Sequence, residues 1–209
     1  MEGKPVVILH PVGPLDREEM DAIVRQARKA IGLAVEVGTE IAFPPGALDS
    51  RRGQILAPRL LAAVPATVET PPPPLPPITY GGAVAASSPT VASRPAQPAP
   101  FARVAVADQD LYAPGQEFIF ALADAKGRRA VLATRRLKES FYRRKADPQR
   151  QRGRAAREFI AAVGAARGLP SCSDPYCVMA EVRTVAEIDR KNDRFCGTCN
   201  NLIRGRMRW

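Results

Sequence analysis

Histidine is almost missing from this chain: among 209 residues there is one, His10. Catalytic zinc of the three-imidazole kind needs several converging rings, so no such site can be assembled from one chain of this sequence. Cysteine is absent before position 172, long apolar runs are absent throughout, and between Pro65 and Pro100 the only charges are Glu69 and Arg94. Each gap excludes something. Without a run approaching ~20 apolar residues there is no candidate membrane helix. Val6 to Leu9 is the apolar stretch nearest the first residue, and His10 and Pro11 end it at once. It is too short for the core of a secretory leader. This predicts a cytoplasmic protein in a reducing compartment, with no membrane partner.

What is present is concentrated at the other end. All four cysteines fall in the pattern Cys172-x4-Cys177-x18-Cys196-x2-Cys199. Two residues between Cys196 and Cys199 let both thiolates reach one tetrahedral ion, the spacing of a zinc knuckle. Cys172 and Cys177 can supply the other two corners from a loop. The competing assignment is a pair of disulfides, which needs an oxidising compartment. With zinc, four thiolates leave no open coordination position, so the expected ion is structural.

Hydrophobic residues make up 45% of the chain and charged residues 25%, enough to bury a core. The balance is basic, 31 Lys plus Arg against 21 Asp plus Glu, a net +10. Much of the excess lies between Arg135 and Arg157, where ten basic residues face only Glu139 and Asp147. Such a stretch, with Arg204, Arg206 and Arg208 in the tail, is one route to nucleic-acid or acidic-partner binding. The plainer reading is a solvated, Arg-rich segment. Phe141 and Tyr142 do not alternate with the cations as a stacking platform requires.

Three segments emerge. Residues 1–64 are ordered: a strand at Val6–Leu9, a helix from Asp16 with Glu19 as a capping-box partner and Gly32 as its stop, a strand over Leu33–Phe43, and a short helix after Pro58. Residues 65–101 hold eleven of the 21 prolines and read as a Pro/Ala-rich disordered linker or insertion. Residues 102–209 resume order. Val104 and Val106 alternate on one strand, Phe118, Phe120 and Leu122 share a face of the next, and Ala130–Thr134 forms a third. A helix follows over 153–166, with Gly168 at its end. Strands and helices in this succession predict a mixed fold.

At this level of detail the chain resembles the archaemetzincins, zinc-dependent metalloproteases. The resemblance rests on Val12-Gly13-Pro14-Leu15-Asp16, Arg51-Arg52-Gly53-Gln54, Asp110-Leu111-Tyr112, Phe118-Ile119-Phe120, and above all Arg157 to Met179 with the Cys196/Cys199 pair. It implies an α+β, zincin/metzincin-like fold: a mixed twisted sheet, flanking helices and a C-terminal zinc site built from four cysteines. The family pattern HExxHxxGxxHC, laid on 153–168 and beyond, finds Ala161 and Ala165 at the first two histidines. Ala162 stands at the glutamate and Ser171 at the third histidine. Gly168, Cys172, Cys177 and Met179, the last in the position of a Met-turn, match the pattern.

Alanine methyls neither bind zinc nor take a proton from water, and alanines are strong helix formers. The expectation is therefore an inactive, archaemetzincin-like protein with no catalytic residues. It should carry one structural zinc on Cys172, Cys177, Cys196 and Cys199, no catalytic zinc, and a vestigial cleft open to a peptide or protein. Residual peptidase activity through other ligands such as Asp174 is the alternative within the family. Glu158 precedes the motif and is not its glutamate. His10 reads as a packed or hydrogen-bonded residue, and Asp108 with Asp110 as a polar turn rather than a carboxylate pair.

Overall fold

The computed structural model describes residues 5–67 and 99–207. β1 (Val6–Val12) opens the chain and continues through His10 and Pro11, past the end expected at Leu9. Pro11 lacks an N–H, but its carbonyl still accepts from Ile41 N at 2.8 Å. α1 (Arg17–Ile31) starts where Asp16 accepts a bond from Glu18 N, and it stops at Gly32, whose φ of 77° is left-handed. β2 (Ala34–Val37) is shorter than the expected Leu33–Phe43 and pairs parallel with β1. It ends at Gly38, where a Cβ would stand 2.6 Å from Ile8 and 2.8 Å from the His10 ring.

β3 (Leu48–Asp49), β4 (Gln54–Leu56) and α2 (Ala57–Ala63, with Pro58 in its first turn) follow. Then come β5 (Ala102–Ala107), β6 (Leu111–Ala113), β7 (Gln116–Ile119), β8 (Ala121–Asp124) and β9 (Arg129–Ala133). The strand expected through Phe118, Phe120 and Leu122 is in fact two, broken at Phe120, which lets β7 and β8 join different sheets. α3 (Pro148–Ala166) begins five residues before the expected 153, because Asp147 caps it through Arg150 N. α4 (Val185–Arg190) and α5 (Gly197–Gly205) complete the described chain.

The main sheet has the order β2-β1-β5-β9-β8, and a four-stranded sheet has the order β3-β4-β6-β7. β2, β1, β5 and β9 run parallel, and β8 turns back antiparallel to form the edge. β5 shows why it must be central. Val104 and Val106 pack in the cluster that includes Ile23, Phe159 and Val163 of α1 and α3. Ala105 and Ala107 pack in the cluster of Leu60 and Leu61 of α2. A strand covered on both faces reads as a continuous apolar run, as Val104 to Ala107 does. Both boundaries of the proline-rich segment are folded: Thr67 N donates to Gly127 O, and Phe101 is buried. The rest of that segment lies outside the described residues.

Candidate functional site

α3 positions the site. Glu158, Ala161, Ala162 and Ala165 recur at i, i+3, i+4 and i+7, one face of the helix. All four line a cleft bounded opposite by Ala121 and Ala123 of β8, with a cavity volume of about 260 Å³. Gly168, at φ 77°, ends the helix and lets the chain return, so that Ser171 and Met179 line the same cleft. Met179 packs beneath α3 at Gly164. A Cβ there would stand 2.5 Å from Met179 Sδ and 3.4 Å from Phe195 Cε1, so only glycine admits this approach. The four positions that the sequence pattern singles out therefore meet in one place.

The groups present do not fit a catalytic metal. Three methyls offer no lone pair, and the Ser171 hydroxyl is a single neutral oxygen. Glu158 is buried and held by Lys191, whose Nζ donates to Glu158 Oε1 at 2.7 Å and to Ala180 O at 3.3 Å. Burial pushes the Glu158 carboxyl up, and the Lys191 ammonium opposes that rise. Lys191 itself was not legible in the sequence. It meets Glu158 only because α4 packs on α3, and nothing local marks it.

Behind this cleft the thiols converge. The Sγ atoms of Cys172, Cys177, Cys196 and Cys199 all lie within 4.8 Å of one another. Cys172 and Cys196 are 3.7 Å apart, against an edge of ~3.8 Å for a tetrahedron with Zn–S bonds of ~2.3 Å. That separation is far from a bonded pair, and all four are free thiols. Cys177 Sγ also accepts from Met179 N at 3.4 Å and Cys196 N at 3.3 Å, donors that favour a thiolate. The Cys199 backbone N–H holds the Cys196 thiol down, whereas burial pushes Cys177 up and Cys199 far up. Four clustered thiols cannot ionise together unless a cation compensates them, and the donor set fits zinc. Cys172 N donates to Met179 O at 2.9 Å, which ties the thiol corner to the cleft.

The remaining candidates are structural. His10 is buried within β1, with Nδ1 donating to Thr39 O at 2.8 Å and Nε2 accepting from Arg103 at 3.1 Å. Burial lowers its pKa, which leaves it neutral. Asp110 takes a bidentate grip from Arg136 and a bond from Gln54, and Asp108 pairs with Lys138, so the two acids serve separate cations. Asp174 accepts from Tyr176 N within the cysteine loop.

The Arg-rich stretch is less solvated than its composition suggests. Arg136, Lys138, Arg144, Arg150, Arg152 and Arg154 form ion pairs, and Arg154 is buried between Glu139 and Asp189. Among the described residues, Arg135, Arg143, Lys145 and Arg157 are the members of the stretch without an ion pair.

Residues 100–205, about half of the chain, match the model of peptidase family M54. The chain belongs to that family. Its relatives include the archaemetzincin of Methanopyrus kandleri, 35% identical over 100 residues, which are 48% of this chain and 54% of that protein. In that alignment the chain spans just over half of the relative's length. The archaemetzincin of Methanocaldococcus jannaschii is 25% identical over 200 residues, covering 96% of this chain and 93% of the relative. The crystal structure of the M. kandleri archaemetzincin aligns with a TM-score of 0.72 at 24% identity, covering 98% of this chain and 96% of that one. The archaemetzincin fold therefore extends over both flanks of the proline-rich segment. No helix among the described residues is long and apolar enough to cross a membrane.

Proposed function

We propose that this chain is a catalytically inactive archaemetzincin. One zinc on Cys172, Cys177, Cys196 and Cys199 holds the fold, and the cleft binds a peptide or protein segment without cutting it. One observation carries the reading: Ala161, Ala162, Ala165 and Ser171 line a single cleft and present three methyls and one hydroxyl to it. Metal-assisted hydrolysis needs a bound water of lowered pKa and a base to accept its proton. Loss of the base alone typically costs about 10²–10⁴ in rate. Glu158, the carboxylate nearest in sequence, is committed to Lys191 at 2.7 Å. Binding is supported by β8, which pairs with β9 on one side and forms the sheet edge on the other. An extended segment can add to such an edge through its own backbone.

Zinc per chain, measured by elemental analysis on wild type and Cys199→Ser, tests the reading together with peptide hydrolysis in the presence and absence of a chelator. One zinc, lost in the variant, and no chelator-sensitive cleavage are expected. A second zinc that survives the substitution, or cleavage that the chelator abolishes, would overturn the proposal.

A further inference from the structure

Glu19, in the first turn of α1, does not close the capping box that its spacing from Asp16 predicts. Its side chain turns inward instead and is 2% exposed. Gln151 of α3 donates to one carboxyl oxygen, Oε2, at 3.1 Å. Among the described residues the other oxygen, Oε1, has no hydrogen-bond partner. The cations nearby are committed elsewhere: Lys138 pairs with Asp108, and Arg152 pairs with Glu18.

Two more buried oxygens of this corner lack a partner among the described residues, Asp108 Oδ1 and Thr134 Oγ1. They stand on adjacent strands. β5 and β9 end in register at Ala107 and Ala133, and Thr134 N donates to Ala107 O at 2.9 Å. Asp108 continues the face of Val104 and Val106, which packs with α1 and α3, and its charge is close enough to repel that of Glu19. The corner thus holds acceptors in excess, and two carboxyl groups against the one ammonium of Lys138. A carboxylate sealed from water without a counter-charge is costly, and such a group takes up a proton rather than stay ionised. Burial pushes the Glu19 carboxyl above its ordinary range. The Gln151 amide and the Lys138 ammonium oppose that rise, whereas the charges of Asp108 and Asp16 add to it.

We infer that Glu19 is a proton-dependent latch, holding α1 against α3 and the ends of β5 and β9 as a neutral acid and slackening that contact when it ionises. It sits where the N-terminal flank docks. α1 belongs to that flank, whereas Asp108, Thr134, Lys138 and Gln151 all lie within the 100–205 stretch that matches the family model. The folded chain holds this proton more tightly than the unfolded one. The latch therefore contributes fully below the unfolded value of ~4.3, and its contribution is lost as pH rises through the higher folded value. The cleft and its chemistry play no part in it.

The test uses the zinc-loaded full chain labelled with ¹³C-glutamate, the Glu19 carboxyl signal being the one that Glu19→Gln removes. Titrated from about pH 5 to about pH 9, that signal should move with a midpoint above the ordinary ~4.3 of a glutamate. Asp108→Asn removes a repelling charge and should lower the midpoint. Lys138→Met removes an attracting one and should raise it. Glutamine keeps the shape of the neutral acid. Glu19→Gln should therefore melt close to wild type near about pH 5 and above it by a margin that widens as pH rises. Zinc content is checked at each pH.

A Glu19 signal already fully ionised at about pH 5, a midpoint indifferent to both neighbours, or a melting-temperature gap that does not change with pH would each overturn the inference. So would a Glu19→Gln variant that melts below wild type at every pH, since the ionised carboxylate would then be the form that holds the helix. A signal that follows added sodium or calcium at fixed pH would put a metal ion in place of the proton and overturn it as well.

Discussion

The turn from Ser171 to Met179 serves two neighbouring sites that have fared differently. Ser171 and Met179 line the cleft, while Cys172 and Cys177 face the thiol cluster. On the proposed reading, one side keeps every ligand that the family pattern implies, and the other keeps none of its metal-binding groups. The difference separates two roles of a metal site. The thiols fasten the 172–199 loop and α5 to the rest of the fold, so losing one would cost stability. Imidazoles on α3 would contribute chemistry to a helix already fixed by packing, since Phe159, Ile160 and Val163 are fully buried without them. Alanine at such positions even raises helix propensity. On the proposed reading a fold can lose the second kind of site at little cost, whereas loss of the first lowers its stability.

The sharpest way to break this comparison is to damage the thiol side. Cys199→Ser should lose its zinc and lower the melting temperature on the order of 10 °C, since each kcal/mol is worth ~2–4 °C in a domain of this size and structural zinc is worth several. Calorimetry of the variant, prepared in the presence of zinc, and of the zinc-loaded wild type checks this. A melting temperature within a degree or two of wild type would mean that the two sides do not differ as argued.

Next in size is the brace on the first half of α3. Arg154, 1% exposed, forms an ion pair with Glu139 and donates to Asp189 and the Leu137 carbonyl. Arg154→Met leaves the buried Glu139 carboxylate only its exposed partners Arg144 and Arg150 and should cost up to about 3–5 kcal/mol, with zinc content unchanged. The pH dependence has a definite sign. Burial works to raise the Glu139 pKa, but the Arg154 and Arg144 guanidinium groups together override it and hold the carboxyl below its ordinary value. Its contribution is fully present above the unfolded carboxylate value of ~4.3 and is lost as pH falls through the lower folded value. The stability gap between wild type and Arg154→Met should therefore be widest near neutrality and narrow below about pH 4, as urea titrations across that range would show.

A smaller effect is expected where the two sites touch. Gly164→Ala places a Cβ against Met179 Sδ, a contact of 2.5 Å before relaxation. Overpacking of this kind costs about 1–3 kcal/mol, against a gain of up to ~1 from helix propensity, so a net loss of about 1–2 kcal/mol is expected. Zinc should stay bound, and the Met179 methyl resonance should move.

Much of the candidate site was legible in the sequence, because its parts are local. The Cys-x2-Cys spacing, the glycine that ends α3 and the i, i+4 relation of Ala161 to Ala165 need no knowledge of the fold. What escaped was tertiary. The Glu158–Lys191 pair spans two helices. Arg154 resembled its nine basic neighbours until its burial between Glu139 and Asp189 was visible. The break at Phe120 was invisible too, because Phe118, Phe120 and Leu122 keep strict alternation while the chain passes from one sheet to the other, with Phe118 and Phe120 in edge-to-face contact at 5.5 Å. Periodicity reports which residues share a face, not which sheet owns it.

The last prediction has the smallest expected effect on stability and bears most directly on the comparison. If the cleft lost only its ligands, returning them should return the metal. The fourfold variant Ala161→His, Ala162→Glu, Ala165→His and Ser171→His should raise zinc from one to two per chain. Ala161 and Ala165 are half-buried and already face the cavity, and Ser171 is exposed at its mouth, so new rings at these positions enter existing space. Histidine in place of alanine costs roughly 0.5 kcal/mol of helix propensity per site, so the two helical histidines together should lower metal-free stability by only about 1 kcal/mol. The burdened position is Ala162, 2% exposed, where a carboxylate must be accommodated. The threefold histidine variant that keeps Ala162 isolates that cost and should still bind the second zinc. Two zincs in either variant would mean that backbone, Gly168 turn and Met179 floor are intact and that only side-chain chemistry is missing. One zinc in both, with folding unimpaired, would mean that the cleft has drifted from the geometry a metal requires, and that the contrast between its two sides extends to the backbone.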